Sequence, residues 1–92
     1  MTLFIITIEW KLGITPENTA FESILTSNFK IQKLTEYSYL IESSNTAVEI
    51  RNYIVNAMPT IERVFVGELS TSAAWRNMQS SSNDIKLMFE NE

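Results

Sequence analysis

The sequence predicts a single α+β domain, and two observations favour this class. Stretches typical of strands and stretches with helical spacing of apolar residues follow one another in the order strand, helix, strand, strand, helix, strand. The first strand is apolar on both faces, as is typical of the middle of a sheet. A chain of 92 residues is long enough for one modest core.

The first strand is the stretch 2–10, in which residues 3–6 are all large and apolar. This pattern indicates a strand that is buried on both faces, so we expect it in the centre of the sheet. The apolar run ends at the carboxylate of Glu9. Many α/β folds place their chemistry where a strand leaves the sheet, which makes Glu9 the candidate functional residue.

The first helix is expected over residues 16–28. Thr15 as the N-cap and Pro16 at the first helical position predict its start. Apolar residues then recur at helical spacing and form one stripe. The stripe consists of Ala20, Phe21, Ile24 and Leu25.

A hairpin follows, with strands expected over residues 29–34 and 37–43. The first of these strands alternates apolar and polar residues, which is typical of a half-exposed edge strand. The reversal at Thr35 and Glu36 has no residue that favours the positive φ of a two-residue hairpin loop. We therefore expect a turn that is longer or bulged.

The second helix and the fourth strand complete the pattern. Thr46 and Glu49 have the spacing of a capping box at the start of the helix, and Pro59 is expected to end it. The fourth strand is expected over residues 61–69. Gly67 lies within this strand and indicates a bulge or a close approach of another group.

This order of elements is the ferredoxin-like βαββαβ pattern, in which a split βαβ unit occurs twice. Right-handed crossovers then give an antiparallel sheet of order 4-1-3-2 with both helices on one face. We assign residues 1–79 to this domain. Residues 80–92 are expected to form a serine-rich hinge and a short C-terminal strand or tail, which a partner subunit would bury.

The composition excludes several kinds of site. The chain has no cysteine and no histidine, so disulfides, thiolate metal sites and the usual general base are absent. A net charge of −4 counts against broad nucleic-acid binding. The opening apolar run is too short to cross a membrane and has no basic segment before it, so we expect a cytoplasmic protein without a membrane partner.

Four pieces of the chain, in this order and spacing, resemble the CRISPR-associated Cas-two endoribonuclease family and in particular its compact SinR-like members. They are the strand over residues 3–9, the hairpin over residues 29–43, the sequence Val-Phe-Val-Gly-Glu-Leu at 64–69, and the Ala-Trp pair at 74–75. The resemblance covers residues 2–77. It implies a homodimer of ferredoxin-like domains whose sheets pack together and whose C-terminal strand crosses to the partner.

The resemblance also implies roles for individual residues. Residues 80–89 would supply the crossing strand, and the family's metal ligand, an Asp that both subunits contribute at the end of the first strand, corresponds to Glu9. Glu9 would then bind Mg²⁺ and activate water for phosphodiester cleavage. The Glu is one methylene longer than the family's Asp, and the alternative is a solvated carboxylate paired with Arg63. The expected dimer interface consists of Trp75, Ile85, Leu87 and Phe89.

Three functions remain open from the sequence. The first is a homodimeric protein associated with RNA or DNA, either as a weak metal-dependent endonuclease or as a structural subunit of a larger complex. The alternative is a non-catalytic dimeric module of the same fold that binds a protein partner. A toxin-type ribonuclease is the third. The scattered basic residues and the altered carboxylate favour the module, whereas the family resemblance favours the first function.

Overall fold

The computed structural model describes residues 1–70 and 72–90. No helix within these residues is long and apolar enough to cross a membrane. The elements are β1 (Thr2–Trp10), α1 (Asn18–Asn28), β2 (Lys30–Thr35), β3 (Ser38–Ser43), α2 (Ala47–Ala57), β4 (Ile61–Glu68) and α3 (Ser82–Glu90).

The four strands form one antiparallel sheet in the order β2-β3-β1-β4. This order is the predicted 4-1-3-2, and β1 lies in the centre as expected. β1 pairs with β3 on one side, where Thr7 faces Ser38, and with β4 on the other, where Thr7 faces Phe65. The fold is therefore compatible with the predicted ferredoxin-like arrangement.

The main core lies between the sheet and the two helices α1 and α2. Alternate residues of β1 point to this face, and the ring of Phe21 from α1 packs edge-on against Trp10 at 6.1 Å and Tyr39 at 5.5 Å between ring centroids. Edge-to-face contacts of this kind add to the stabilisation that burial provides. The buried residues of this core are Phe4, Ile6, Ile8, Trp10, Phe21, Leu25, Tyr39, Ile41, Ile50, Ile54 and Met58.

The helix starts show one correct and one wrong prediction. At α2, Thr46 and Glu49 form the predicted capping box, with Glu49 N donating to Thr46 Oγ1 at 3.2 Å and Thr46 N donating to Glu49 Oε1 at 2.8 Å. At α1, the helix begins at Asn18 rather than at residue 16. Asn18 Oδ1 accepts a hydrogen bond from Trp10 Nε1 at 3.1 Å, and this tertiary contact ties the start of the helix to β1.

The hairpin between β2 and β3 contains the bulged turn that was one of the two expected forms. The register shifts between Lys33 and Thr35, and Thr35 then faces Ser38 across a two-residue loop. A bulge supplies the local twist that this loop sequence does not provide through a residue of positive φ.

The C-terminal segment differs from the prediction. It is a helix, α3, rather than a strand, and it packs on the second face of the chain's own sheet. Ile85, Met88 and Phe89 follow helical spacing, and Ser81 Oγ accepts a hydrogen bond from Asp84 N at 3.1 Å at the start of the helix. Ile85 is 1% exposed, so burying it requires no partner subunit.

The predicted hinge before α3 is attached to the sheet. Gln79 N donates to the carbonyl of Leu34 and Ser80 N donates to the carbonyl of Lys33, both at 3.0 Å. These two bonds occupy carbonyl groups on the outer edge of β2, beside which the described part of the chain places no further strand. The α3 segment thus covers the β2 and β3 half of the second face and leaves the β4 half uncovered.

Candidate functional site

Glu9 lies at the end of β1 and faces Arg63 of β4 in the register of the sheet. Arg63 Nη1 donates to Glu9 Oε1, which forms the ion pair named as one of the two sequence interpretations. The Glu9 side chain is 60% exposed and that of Arg63 is 74% exposed. An ion pair this exposed contributes at most about 1 kcal/mol, because water screens it.

The remaining carboxylates do not build a metal site with Glu9 in a single chain. Glu42 and Glu68 lie at the opposite end of β1, as expected from the strand directions. Glu62 lines the same shallow groove as Glu9, a neighbour that the sequence analysis missed although it directly precedes Arg63. Within the described residues, no group of three or more acidic side chains could hold a metal ion.

A second polar cluster lies at the rim of the main core. Glu22 Oε2 accepts hydrogen bonds from Tyr39 at 3.0 Å and from Lys33 Nζ at 2.9 Å, and so connects α1 with β2 and β3. Burial raises the pKa of Tyr39 well above its usual value, and the hydrogen bond to the Glu22 carboxylate raises it further. The neutral phenol is therefore strongly favoured, and Tyr39 has a structural role rather than that of a base or nucleophile.

The raised pKa of Tyr39 predicts a loss of stability in alkaline solution. Above about pH 10 the unfolded chain releases the Tyr39 proton while the folded chain keeps it, so the free energy of unfolding falls as the pH rises, by at most about 1.4 kcal/mol per pH unit for this group. Urea unfolding of the wild type and of Tyr39→Phe at several pH values measures the contribution. If the free energy of unfolding falls as steeply with pH in Tyr39→Phe as in the wild type, Tyr39 is not the source of the pH dependence.

The four residues expected at a dimer interface differ in their burial and in their partners within the chain. The rings of Trp75 and Phe89 stack at 5.9 Å with 12° between their planes, and Trp75 Nε1 donates to Ser82 Oγ at 3.2 Å. Ile85 is buried within its own chain, whereas Leu87 is 54% exposed on the outer side of α3. Three of the four thus have partners inside the chain, and Leu87 alone has the exposure that an unoccupied interface requires.

An apolar cavity of about 340 Å³ lies between α3, residues 73–78 and the second sheet face. Leu34, Trp75 and Phe89 are among its walls, and the hydroxyl groups of Thr35 and Ser38 bond to each other at 2.5 Å at its polar end. Of the described residues that line it, none carries a charge. The cavity therefore offers no acid or base for catalysis.

A surface that the sequence analysis did not identify runs along β4, which we call the β4 side. Phe65 is 62% exposed on the half of the second sheet face that α3 leaves uncovered. A Cβ atom on Gly67 would lie 2.8 Å from the Phe65 ring, so the glycine allows this ring to lie flat along the strand. On the opposite, helix side of the sheet, Val48 and Val55 of α2 are exposed, at 55% and 47%. The signal in the sequence was a Phe two residues before a Gly in an edge strand.

Comparisons with known proteins do not assign a family to this chain. No family model matches the sequence, and searches among curated proteins and among solved structures give no match. The resemblance to the Cas-two family therefore remains a prediction that rests on the residues named for it.

Proposed function

We propose that the protein is a non-catalytic homodimeric interaction module that associates through its β4 side. The observation that carries this proposal is the exposed ring of Phe65 on the second sheet face, beside an edge of β4 that no other strand of the described residues covers; on the helix side of the sheet, Val48 and Val55 of α2 are exposed as well. An exposed apolar side chain beside a free strand edge is typical of surfaces that bind another chain.

Burial of these side chains supplies the driving force. Covering a large apolar side chain completely contributes roughly 1.5–3 kcal/mol, and two-fold symmetry makes each contribution count twice. A chain of 92 residues has a small core, and association adds stability to it through mass action. Dimer formation therefore suits both the surface and the size of the domain.

The polar residues support a binding role rather than catalysis. Glu9 is paired with Arg63, and Tyr39 is held in its neutral form. Since the chain has no histidine and no cysteine, it lacks the side chains that most often act as base or nucleophile near neutral pH. The net charge of −4 also opposes binding to nucleic acid through phosphate contacts.

A second candidate function is the metal-dependent nuclease that the family resemblance implies. The exposed carboxylate of Glu9 favours it, because Glu9 lies on the same uncovered half of the second sheet face as Phe65. A face-to-face contact of two subunits at this half would bring two Glu9 carboxylates towards each other. Such a pair could bind Mg²⁺ through oxygen and activate water for hydrolysis of RNA or DNA.

A cleavage assay separates the two functions. We expect the purified protein with Mg²⁺ or Mn²⁺ to leave single-stranded RNA and double-stranded DNA uncut, since Glu9 is paired with Arg63 and belongs to no group of three or more acidic side chains within the described residues. Glu9→Ala is compared with Glu36→Ala, an exposed acid in the hairpin loop. Cleavage by the wild type that Glu9→Ala abolishes and Glu36→Ala preserves would establish the nuclease and overturn the non-catalytic assignment.

A further inference from the structure

We infer that the cavity beneath α3 binds a small uncharged amphiphile, a molecule with an apolar body and a single hydroxyl group at one end. The cavity has a volume of about 340 Å³ and lies between α3, residues 73–78 and the second sheet face. The apolar body lies in the cavity, and the hydroxyl bonds to the pair formed by Thr35 and Ser38. This inference does not depend on the proposed function, because it concerns the half of the second sheet face that α3 covers.

The floor of the cavity follows from the alternation of side chains along the strands. Ile6 and Tyr39 point into the main core. Since successive side chains of a strand point to opposite faces, Ile5 and Leu40 point to the second face, where the sheet register pairs them. Both line the cavity, and α3 contributes Ile85 from the other side. The floor and this wall are therefore fixed by the sheet and by the helix packed on it.

The remaining walls consist of side chains that the chain buries only in part. Five apolar side chains of the described residues pack against the second core without being buried in it, and all five line the cavity. They are Leu34, Leu69, Trp75, Met78 and Phe89. Apolar surface gains free energy in proportion to the area that is removed from water. A ligand that covers these five side chains is therefore favoured over water.

The aromatic wall is held in place by contacts within the chain. The rings of Trp75 and Phe89 stack at 5.9 Å between centroids, with 12° between their planes. Trp75 Nε1 donates to Ser82 Oγ at 3.2 Å, so the polar atom of the indole has a partner and the ring forms the wall. A site whose walls are already ordered costs less conformational entropy on binding.

The polar groups of the cavity match one hydroxyl group. Of the described residues that line it, Thr35 and Ser38 are the two with side-chain oxygen atoms. Their hydroxyl groups bond to each other at 2.5 Å, which uses one of the two protons and leaves the other, with three lone pairs, for a ligand. Thr35 is exposed and Ser38 is half-buried, so this polar end lies at the mouth of the cavity.

Charge favours an uncharged ligand over a carboxylate or a phosphate. No charged side chain of the described residues lines the cavity, and Lys33, next to Leu34, is paired with Glu22 at 2.9 Å on the helix side of the sheet. A charge brought among apolar walls without a partner costs much more than a hydroxyl group does. The net charge of −4 opposes an anion as well.

The volume limits the size of the ligand. An apolar cavity of about 150 Å³ holds one benzene ring. Scaling to the 340 Å³ of this cavity gives a molecule of at most about thirteen non-hydrogen atoms. A lipid with two acyl chains exceeds this limit, whereas a single-chain alcohol such as 1-octanol is within it. Water is a poor alternative, because a buried water needs two to four polar partners and the apolar walls offer none.

The two tryptophans of the chain allow the site to be tested directly. Trp75 lines the cavity, whereas Trp10 lies in the main core on the other side of the sheet. In nitrogen-15 NMR spectra we expect 1-octanol to shift the indole signal of Trp75 saturably, with a dissociation constant of about 1 mM or lower, and to leave that of Trp10 unchanged. Trp75→Phe assigns the two signals. A shift without saturation, or an equal shift of both signals, would overturn the site.

Octanoate tests the choice of an uncharged ligand, because it has the same chain length and a charged end near neutral pH. We expect it to bind at least about tenfold more weakly than 1-octanol. Octanoate that binds as tightly as 1-octanol would overturn the selection by charge.

A double substitution of Thr35→Val and Ser38→Ala tests the polar end. Loss of this hydrogen bond should weaken 1-octanol by about 2- to 10-fold and leave the affinity for ethylbenzene, which has no hydroxyl group, unchanged. An unchanged affinity for 1-octanol, or an equal loss for both molecules, would overturn the role of the hydroxyl pair.

Ala74→Phe tests the location, because it places a ring at the cavity wall. It should weaken 1-octanol by more than about tenfold, since a filled cavity leaves no room for the chain. Ala20→Phe is the matched control, at an exposed position of α1 on the other side of the sheet, and should bind as the wild type does. Equal affinity in both variants, or equal loss in both, would place the binding elsewhere. Circular dichroism shows whether Ala74→Phe is folded; if it is not, the Trp75 signal of the wild type decides the location.

Discussion

Replacing Ile85 by alanine is expected to lower the free energy of unfolding by about 2–5 kcal/mol, which is the usual cost of removing most of a buried isoleucine. Ile85 is 1% exposed and packs with Leu3, Leu40 and Met88 on the second face of the sheet. Because α3 belongs to the same chain as the sheet it covers, the loss should be independent of protein concentration. Urea unfolding at two concentrations a hundredfold apart measures both quantities.

Leu87→Ala is the matched control for this prediction, since it lies two residues further along α3 and is 54% exposed. Its effect on unfolding should be below about 0.5 kcal/mol. A loss in Ile85→Ala that is large at low protein concentration and small at high concentration would contradict the packing of α3 on its own sheet. That result would favour the crossing of the C-terminal segment to a partner.

Phe65→Asp is expected to weaken dimer formation by more than about 100-fold. The change removes the burial of a large aromatic side chain and places a carboxylate at the contact, and symmetry doubles the effect to at least about 3 kcal/mol. Since Phe65 is 62% exposed in the single chain, the variant should keep its fold. Sedimentation equilibrium over a range of concentrations gives the dissociation constant.

Leu87→Asp provides the control, because it makes the same kind of change at another exposed apolar residue and tests the interface expected from the sequence. We expect it to leave the dissociation constant unchanged. Weakening by Leu87→Asp together with no effect of Phe65→Asp would assign the interface to α3 and remove the argument for β4.

The order of strands and helices could be predicted because it rests on local patterns. The apolar run of residues 3–6 is sufficient to place β1 in the centre, and the spacing of Thr46 and Glu49 is sufficient to predict the cap of α2. Such features depend on neighbours in sequence, and the folded chain keeps them.

The prediction of a C-terminal strand was wrong for a physical reason. Residues 85–89 are few and mostly apolar, and a short apolar run does not distinguish a strand from a buried turn of helix. The distinction comes from Leu3 and Leu40, which lie far away in sequence and offer a surface that a helix covers. Tertiary packing of this kind is not visible in the local pattern.

The candidate site was predictable only in part. The pairing of Glu9 with Arg63 followed from the predicted strand order, because both residues lie at matching ends of β1 and β4. The exposure of Phe65 did not follow, since it depends on how much of the second face α3 covers. With α3 in place, two whole sheets cannot pack face to face, and only the β4 half of the second face, which holds Phe65, stays open.

The mass of the wild-type protein in solution is the most direct test of the central claim that the chain is a homodimer formed through its β4 side. Sedimentation equilibrium of the wild type and of Phe65→Asp at the same micromolar concentrations gives both masses. We predict the mass of two chains of 10.6 kDa for the wild type and of one chain for Phe65→Asp. A wild type with the mass of one chain, or a Phe65→Asp variant that keeps the mass of two, would contradict it.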